Sequence, residues 1–398
     1  MTGNLRSLFL LDPDVTFLNH GSYGACPRPV FERYQAWQRE LERQPVAFLD
    51  PVRGLSDRMR DARGAMAGEL GVGPDDIVGL TNATEALNIV AQSLDLQPGD
   101  EILTTDHEYA AIDKTWAYVA RRTGARLVPV SIPLPLTDAQ VFTDALRAGI
   151  TPRTRVLFLS HITSATALVF PIQAIVAEAR ARGIATVIDG AHAPGHIPLD
   201  LTTLGADYYA GNCHKWLMAP KGSAFLYVRT DLQAGIDPLI ISHGWTEDAG
   251  TPGTKGAFGN TPFVDALEIK GTRDPSAWLT VPDAIAFRTQ HGWDRVAARC
   301  RDLAQDTAAR VGALTALAPL SSPAFCAPQM VAMPVPRCDP AALKQTLLND
   351  YSIEIPCYSW GPHTIVRLSV QGYNTAVEMD CLVGALAAAL PGLERSHP

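Results

Sequence analysis

Positive charge is in short supply: 33 lysines and arginines face 41 acidic residues, a formal net charge of −8. No basic patch is available to neutralise a row of phosphates, which argues against nucleic acid as a partner. No apolar run approaches the ~20 residues that a membrane span needs. At the N-terminus Leu8-Phe9-Leu10-Leu11 meets Asp12 and Pro13, too short for a signal-peptide core. The seven cysteines are scattered and contain no C-x-x-C pair, so they supply neither a disulfide framework nor a zinc site. A cytoplasmic protein with reduced thiols is expected, with no metal, membrane or nucleic-acid partner. No G-x-G-x-x-G follows a strand, as a nucleotide dehydrogenase would require. His20 stands where a G-x-S-x-G elbow around Ser22 would need glycine. The glycine-rich stretch 250–259 lacks the Gly-Lys-Ser/Thr of a phosphate loop and reads as part of a long mobile loop over 233–262.

What is present is a globular composition, 47% hydrophobic and 19% charged, at a length that suits one large domain plus a smaller one. From residue 77 to 230 short β-type runs alternate with helical patterns. Strands are expected at Ile77–Leu80, Glu101–Thr104, Arg126–Ile132, Arg155–Ser160, Ala185–Ile188, Asp207–Ala210 and Ala224–Val228. Helices are expected at Ala83–Ser93, Ala110–Thr123, Asp138–Ala148 and Pro171–Arg182. Continuous apolar strands between helices imply an α/β fold with a mostly parallel sheet sandwiched by helices. Ligands of such sheets sit beyond the carboxyl ends of the strands. After a helical stretch near 282–317, residues 329–390 read as a small α+β domain with strands near 330–335 and 364–370, and Pro391 begins a polar tail. The division expected is an N-terminal arm and large domain over 1–280 and a small C-terminal domain over 281–398.

Reactive side chains collect where strands end. Lys215, in Ala210-Gly-Asn-Cys-His-Lys-Trp216, follows an apolar run; a lysine among apolar neighbours has a lowered pKa and forms Schiff bases with carbonyls. Asp189 directly follows a buried strand and needs a cationic or donor partner, unless it caps a helix. Pyridoxal 5′-phosphate (PLP) answers both, because its pyridinium nitrogen wants a carboxylate and its aldehyde wants a lysine. Leu80-Thr-Asn-Ala-Thr-Glu85 turns from strand into helix and suits an anion, although read alone it is ordinary capping chemistry. Asn212 and His214 are further donors for the same phosphate. His192 and His196 stand four apart, but Pro194 and Gly195 between them disfavour a helix presenting both to a metal. His107 or Tyr109 is placed to stack on a cofactor ring. Arg367 sits mid-strand among apolar residues, to grip a carboxylate bidentately or to close an internal salt bridge.

Together these stretches resemble the fold-type I, class V aminotransferase family of PLP enzymes, over nearly the whole chain. The carriers are Phe17-Leu-Asn-His-Gly-Ser-Tyr-Gly24, Thr81–Glu85, Asp106-His-Glu-Tyr109, Asp189–Gly195, Gly211–Trp216 and Gly271-Thr-Arg-Asp274. The first and last are similar to the branch of isopenicillin N epimerase and its relatives. The resemblance implies that Lys215 carries the cofactor and Asp189 pairs with its ring nitrogen. His192 and Ser164 would lie near the phenolic oxygen, with Tyr109 over the ring. Ala83, Thr84, Asn212 and His214 would take the phosphate, completed by Thr272 of a second copy, so a homodimer with shared active sites is expected. Arg367 would hold the carboxylate of an amino-acid substrate, with Asn19 and His20 close by. Cys357 precedes Arg367 by ten residues, out of step with the nucleophilic cysteine of cysteine desulfurases, and is expected to be structural. The implied reaction is epimerisation at an α-carbon, using Lys215 on one face and Tyr109 or His20 on the other. β-Elimination by a C–S lyase and transamination are the alternatives. A non-catalytic regulator is disfavoured, since no segment is spare for a basic DNA-binding domain.

Overall fold

The structure, a computed structural model, describes residues 5–247, 250, 251 and 253–394. The strands in chain order are β1 (Thr16–Phe17), β2 (Ile77–Leu80), β3 (Glu101–Thr105), β4 (Arg126–Val130), β5 (Thr154–Ser160) and β6 (Ala185–Asp189). They continue as β7 (Tyr208–Asn212), β8 (Ala224–Val228), β9 (Met330–Val335), β10 (Ile353–Glu354), β11 (Cys357–Trp360) and β12 (His363–Ser369). Seven of them form the large sheet in the order β2-β8-β7-β6-β5-β3-β4. All neighbours are parallel except β8, which runs against both β2 and β7.

The unbroken apolar runs are explained by burial on both faces. Side chains alternate across a strand, so Val156 and Phe158 enter one core while Leu157 and Leu159 enter the other. β4 is an edge strand and partly exposed, which is why Pro129, lacking an N–H, is tolerated there. Because β8 opposes both its neighbours, β2 points the same way as β3, β5, β6 and β7. The carboxyl ends of these five strands therefore share one edge of the sheet, and they carry Thr81, His107–Tyr109, Ser160, Asp189 and Asn212 onto it.

In a second, antiparallel sheet of order β11-β12-β9, the helix Trp293–Thr315 packs on β9 and Pro340–Tyr351 on β11, and the helix Ala376–Glu394 packs on both helices. The fold is thus α/β, a large mostly parallel sheet layer with a small α+β unit. β11 has no counterpart in the sequence reading; Cys-Tyr-Ser-Trp offers no run of strand formers, and pairing to β12 decides it. The N-terminal β1 pairs with β10, Thr16 opposite Ile353, so the arm is tied to the C-terminal unit.

Two expectations need correction. Pro391 does not open a tail, because the helix Ala376–Glu394 runs through it; residues 395–398 lie outside the described residues. That helix also holds a stretch, Ala376–Leu393, long and apolar enough by composition to cross a membrane. Here Leu382, Leu386 and Leu390 are buried, and the helix packs on Trp293–Thr315 and Pro340–Tyr351, so its apolar face belongs to the core. In the loop over 233–262, turns of 3₁₀ helix at Thr230–Gly235 and the helix Pro262–Glu268 flank a described stretch without strands. Residues 248, 249 and 252 of it lie outside the described residues.

Candidate active site

Lys215 leaves the end of β7 into a bed made by the N-terminal arm. A side chain on Gly24 would place its Cβ 1.9 Å from the carbonyl oxygen of His214, and φ there is +71°. Only glycine permits that approach, which accounts for the Asn-His-Gly-Ser-Tyr-Gly segment lying against the lysine. The Lys215 amine lies 3.0 Å from His192 Nε2. Burial pulls its pKa down to about 7, the Arg367 guanidinium pulls the same way, and Asp189 partly offsets both. At neutral pH much of Lys215 is a free amine, the form that attacks carbonyls.

Asp189 is the last residue of β6 and is buried. Its Oδ1 accepts from the Ala191 N–H at 2.8 Å. Burial pushes its carboxyl above the usual range, which the Ala191 bond and Lys215 only partly counter. Among the described residues Asp189 is the one acidic side chain in the wall of a cavity of about 360 Å³ that also receives Lys215, His192 and Tyr109.

At another part of the same cavity the helix Ala83–Ser93 begins. Its Ala83 N–H donates to Asn212 Oδ1 at 2.9 Å and its Glu85 N–H to the cap residue Asn82 at 2.8 Å. The Thr84 N–H has no side-chain acceptor of that kind among the described residues and lies in the turn where the helix dipole favours an anion. His214 lines the cavity beside it, its Nδ1 3.3 Å from the Ser223 carbonyl, with burial lowering its pKa to about 4. Asn212, Ala83 and Thr84 are thus brought together from residues 129 positions apart.

Arg367 rises from the middle of β12 and is buried. Nη1 donates to the Ser164 carbonyl at 2.6 Å and Nη2 to Ser22 Oγ at 3.0 Å, while Nε has no partner. Among the described residues no carboxylate pairs with it, so the internal salt bridge weighed from the sequence is not there. Ser22 and Ser164 both line the cavity. A buried guanidinium without an anion beside such a cavity is chemically suited to a carboxylate.

The donor set matches one group. A buried carboxylate without a cation suits a pyridinium, a deprotonated lysine suits an aldehyde, and a helix N-terminus suits a phosphate. Comparison with known proteins points the same way. The family model for class V aminotransferases matches residues 26–382. The chain belongs to the class V aminotransferase family. Within this family it is similar to the isopenicillin N epimerase of Amycolatopsis lactamdurans, at 39% identity over 96% of this chain and 97% of that one, with the Streptomyces clavuligerus epimerase at 38%. It is also similar to a probable L-cysteine desulfhydrase of Arabidopsis thaliana, at 29% over 91% of this chain and 80% of that one. The apo cysteine desulfurase of Thermococcus onnurineus NA1 shares its fold, with TM-score 0.79 at 21% identity, covering 98% of both chains.

Against this class V aminotransferase frame, three residues read from the sequence stand elsewhere. His20 is entirely buried, with Nδ1 3.0 Å from the Tyr373 hydroxyl and Nε2 3.0 Å from the Lys215 carbonyl. Burial lowers its pKa to about 3, so it supports the lysine's backbone and does not reach the cavity. Asn19 also stands behind the wall, accepting from Ser22 Oγ at 2.5 Å and donating to Glu354 at 2.9 Å; it reaches Arg367 only through Ser22. Thr272 lines a different cavity with Met59, His243 and Arg273, and a single chain does not bring it to Lys215. Cys357 opens β11 outside the cavity wall, and burial pushes its thiol up to about 12, far from a nucleophilic thiolate. His192 and His196 spend their nitrogens on Lys215, Trp216, Gln329 and the His192 carbonyl.

Sequence reading passed over Ser22, Ser160 and Glu108. Glu108 is buried and accepts from Ser160 N–H at 2.8 Å, Ser160 Oγ at 2.6 Å and Thr105 Oγ1 at 2.7 Å. Burial pushes its pKa up to about 8, with the Asp189 charge adding to the effect. Because this folded value lies above the ordinary 4.5, its contribution to stability is complete below pH 4.5 and is lost as pH rises towards 8. Glu108→Gln keeps one acceptor oxygen for Ser160, puts an amide donor opposite the Thr105 hydroxyl, which can turn to accept, and removes the titration. Its melting temperature relative to wild type is expected to climb between pH 4.5 and 8 in the cofactor-free protein; a flat difference across that range would contradict the assignment.

Proposed function

We propose that this protein is an epimerase-like enzyme acting at the α-carbon of an amino-acid substrate, held by its carboxylate on Arg367. The observation that carries the reading is one cavity lined by a largely neutral Lys215 and a buried Asp189, whose wall residues Ser22 and Ser164 are held from behind by a buried Arg367 that pairs with no carboxylate among the described residues. Its cofactor is pyridoxal 5′-phosphate. When bound, PLP supplies an aldehyde for an amine and an electron-withdrawing ring that acidifies the α-proton. Lys215 would hold the cofactor and afterwards move the proton at its Nζ. Asp189 would keep the ring nitrogen protonated by charge. Ala83, Thr84, Asn212 and His214 would bind the phosphate, with Thr272 of a second copy completing it in a homodimer. His192 and Ser164 would serve the phenolic oxygen. Epimerisation takes a proton from one face and returns one to the other, which needs a second acid/base. Tyr109, lining the cavity at the start of the helix Ala110–Thr123, is our candidate for ring contact and for that second group. Residues 1–280 would form the cofactor-binding unit and 281–398 the smaller one.

β-Elimination is the second reading, favoured by the similarity to a cysteine desulfhydrase and by its need for Lys215 alone. Incubating the holoenzyme with a panel of amino acids and isopenicillin N, with products resolved by chiral chromatography and sulfide assayed, separates the two. Interconversion of α-carbon stereoisomers is expected. Sulfide release without stereoinversion would replace the epimerase with the lyase. Borohydride treatment of the yellow holoenzyme is further expected to leave a pyridoxyl adduct on the Lys215 peptide, and mapping that finds it on no lysine would sink the cofactor assignment.

A further inference from the structure

Behind His192, away from Lys215, stands Trp216, the residue that follows the lysine in the chain. Its indole is fully buried, and its Nε1 lies 3.3 Å from His192 Nδ1. An indole N–H only donates. Nδ1 of His192 must therefore present its lone pair to Trp216, and a neutral ring then carries its proton on Nε2. Nε2 is the atom 3.0 Å from the Lys215 amine. Trp216 cannot easily turn away: His196 stacks on it with ring centroids 3.9 Å apart and planes 21° from parallel, and His20 packs against it at 5.1 Å. His196 is itself held, since its Nδ1 lies 3.1 Å from the His192 carbonyl, which can only accept, and its Nε2 accepts from the Gln329 N–H at 2.9 Å.

We infer that Trp216 is a positioning residue whose indole N–H locks His192 as the Nε2–H tautomer, so that Lys215 faces a donor and is held as the free amine. A donor suits the amine lone pair and opposes an ammonium. The charges around the pair act in the same direction. Burial keeps His192 neutral, helped by Lys215, Arg367, His196 and His214, and Arg367 opposes a charge on Lys215 while Asp189 alone favours one. The consequence for chemistry rests on the reading of Lys215 as the reactive lysine; the tautomer itself does not.

Trp216→Phe keeps an aromatic ring for the stack and removes only the donor. His192 then becomes free to adopt the other tautomer, whose Nε2 lone pair accepts from an ammonium, so the Lys215 pKa should rise. The full-length chain, stripped of cofactor, is labelled by trace acetylation across pH, and the Lys215 peptide is quantified by mass spectrometry. Wild type should show a midpoint near 7. The variant should show a higher one; a rise of about one unit makes labelling at pH 7 roughly five-fold slower. In a His192→Phe background Trp216→Phe should move nothing further. A well-folded Trp216→Phe with an unmoved or lowered midpoint overturns the inference. If that variant does not fold, nitrogen-15 histidine spectra of the wild-type chain decide, with His192 assigned by its absence from His192→Phe; a proton on Nδ1 overturns the lock and one on Nε2 supports it. None of these readouts needs turnover or bound PLP, so a missing pyridoxyl adduct would refute the proposed function without touching this result.

Discussion

Asp189→Asn is expected to lower kcat/KM by about 10³-fold or more, equivalent to roughly 4 kcal/mol of transition-state stabilisation, while the cofactor-free protein melts no lower than wild type. The substitution is close to isosteric, and asparagine still accepts the Ala191 N–H that holds Oδ1. What disappears is negative charge, and among the described residues Asp189 is the one acidic side chain in the cavity wall. If Asp189 is the partner of the cofactor's ring nitrogen, as proposed, a protonated nitrogen would lose its counter-charge and the capacity to stabilise negative charge at the substrate's α-carbon would fall with it. The stability sign runs the other way. Burial raises the folded pKa of Asp189 above the ordinary 3.8, so its ionisation works against folding as pH rises through that range. Asparagine removes that cost. Steady-state kinetics and thermal melts at pH 7 check both halves, and activity within a few-fold of wild type would reject Asp189 as the pyridinium partner.

Arg367→Lys is expected to raise KM for the substrate by about ten- to a hundred-fold, the equivalent of roughly 1.5–3 kcal/mol, with PLP still bound and the cofactor spectrum kept. Lysine preserves the charge but not the planar fork that grips a carboxylate through two parallel bonds. The guanidinium is presently spent on neutral acceptors, Ser164 and Ser22, with Nε unpartnered. Its positive charge therefore awaits an anion that the chain does not provide among the described residues. KM and melting temperature measured on one preparation separate the roles. A fall in melting temperature with KM unmoved would make Arg367 a structural brace and remove the carboxylate anchor from this cavity.

The order of strands and helices was legible because each element carries its own periodicity. The helix Ala83–Ser93 begins where its Asn82 cap places it, and Ala110–Thr123 ends at the left-handed Gly124, with apolar spacing between. Short pieces were not legible: β1, β10 and β11 exist through pairing with distant partners, and two to four residues hold no period to read. The C-terminal helix misled on both counts, since Pro391 reads locally as a stop and its apolar stretch gives no sign of which neighbours cover it.

Lys215, Asp189 and the Thr81–Glu85 turn announced themselves from the sequence for a related reason. In a sheet of parallel strands, the residue after each apolar run must emerge at the same edge, so chemistry-bearing residues there converge whatever lies between them. By itself, then, the sequence determined the sheet, its reactive edge and the family. Tertiary structure decided which groups near that edge face the cavity and which stand behind it. His20 and Asn19 share a motif with Ser22, yet Ser22 lines the cavity while His20 packs against the Lys215 carbonyl and Asn19 ties Ser22 to Glu354. The hydrogen bonds that Glu108 receives from Ser160 and that His192 shares with Lys215 and Trp216 come from residues more than 20 positions away. A pKa or a tautomer belongs to the packed surroundings of a side chain, and no local pattern in the chain encodes it.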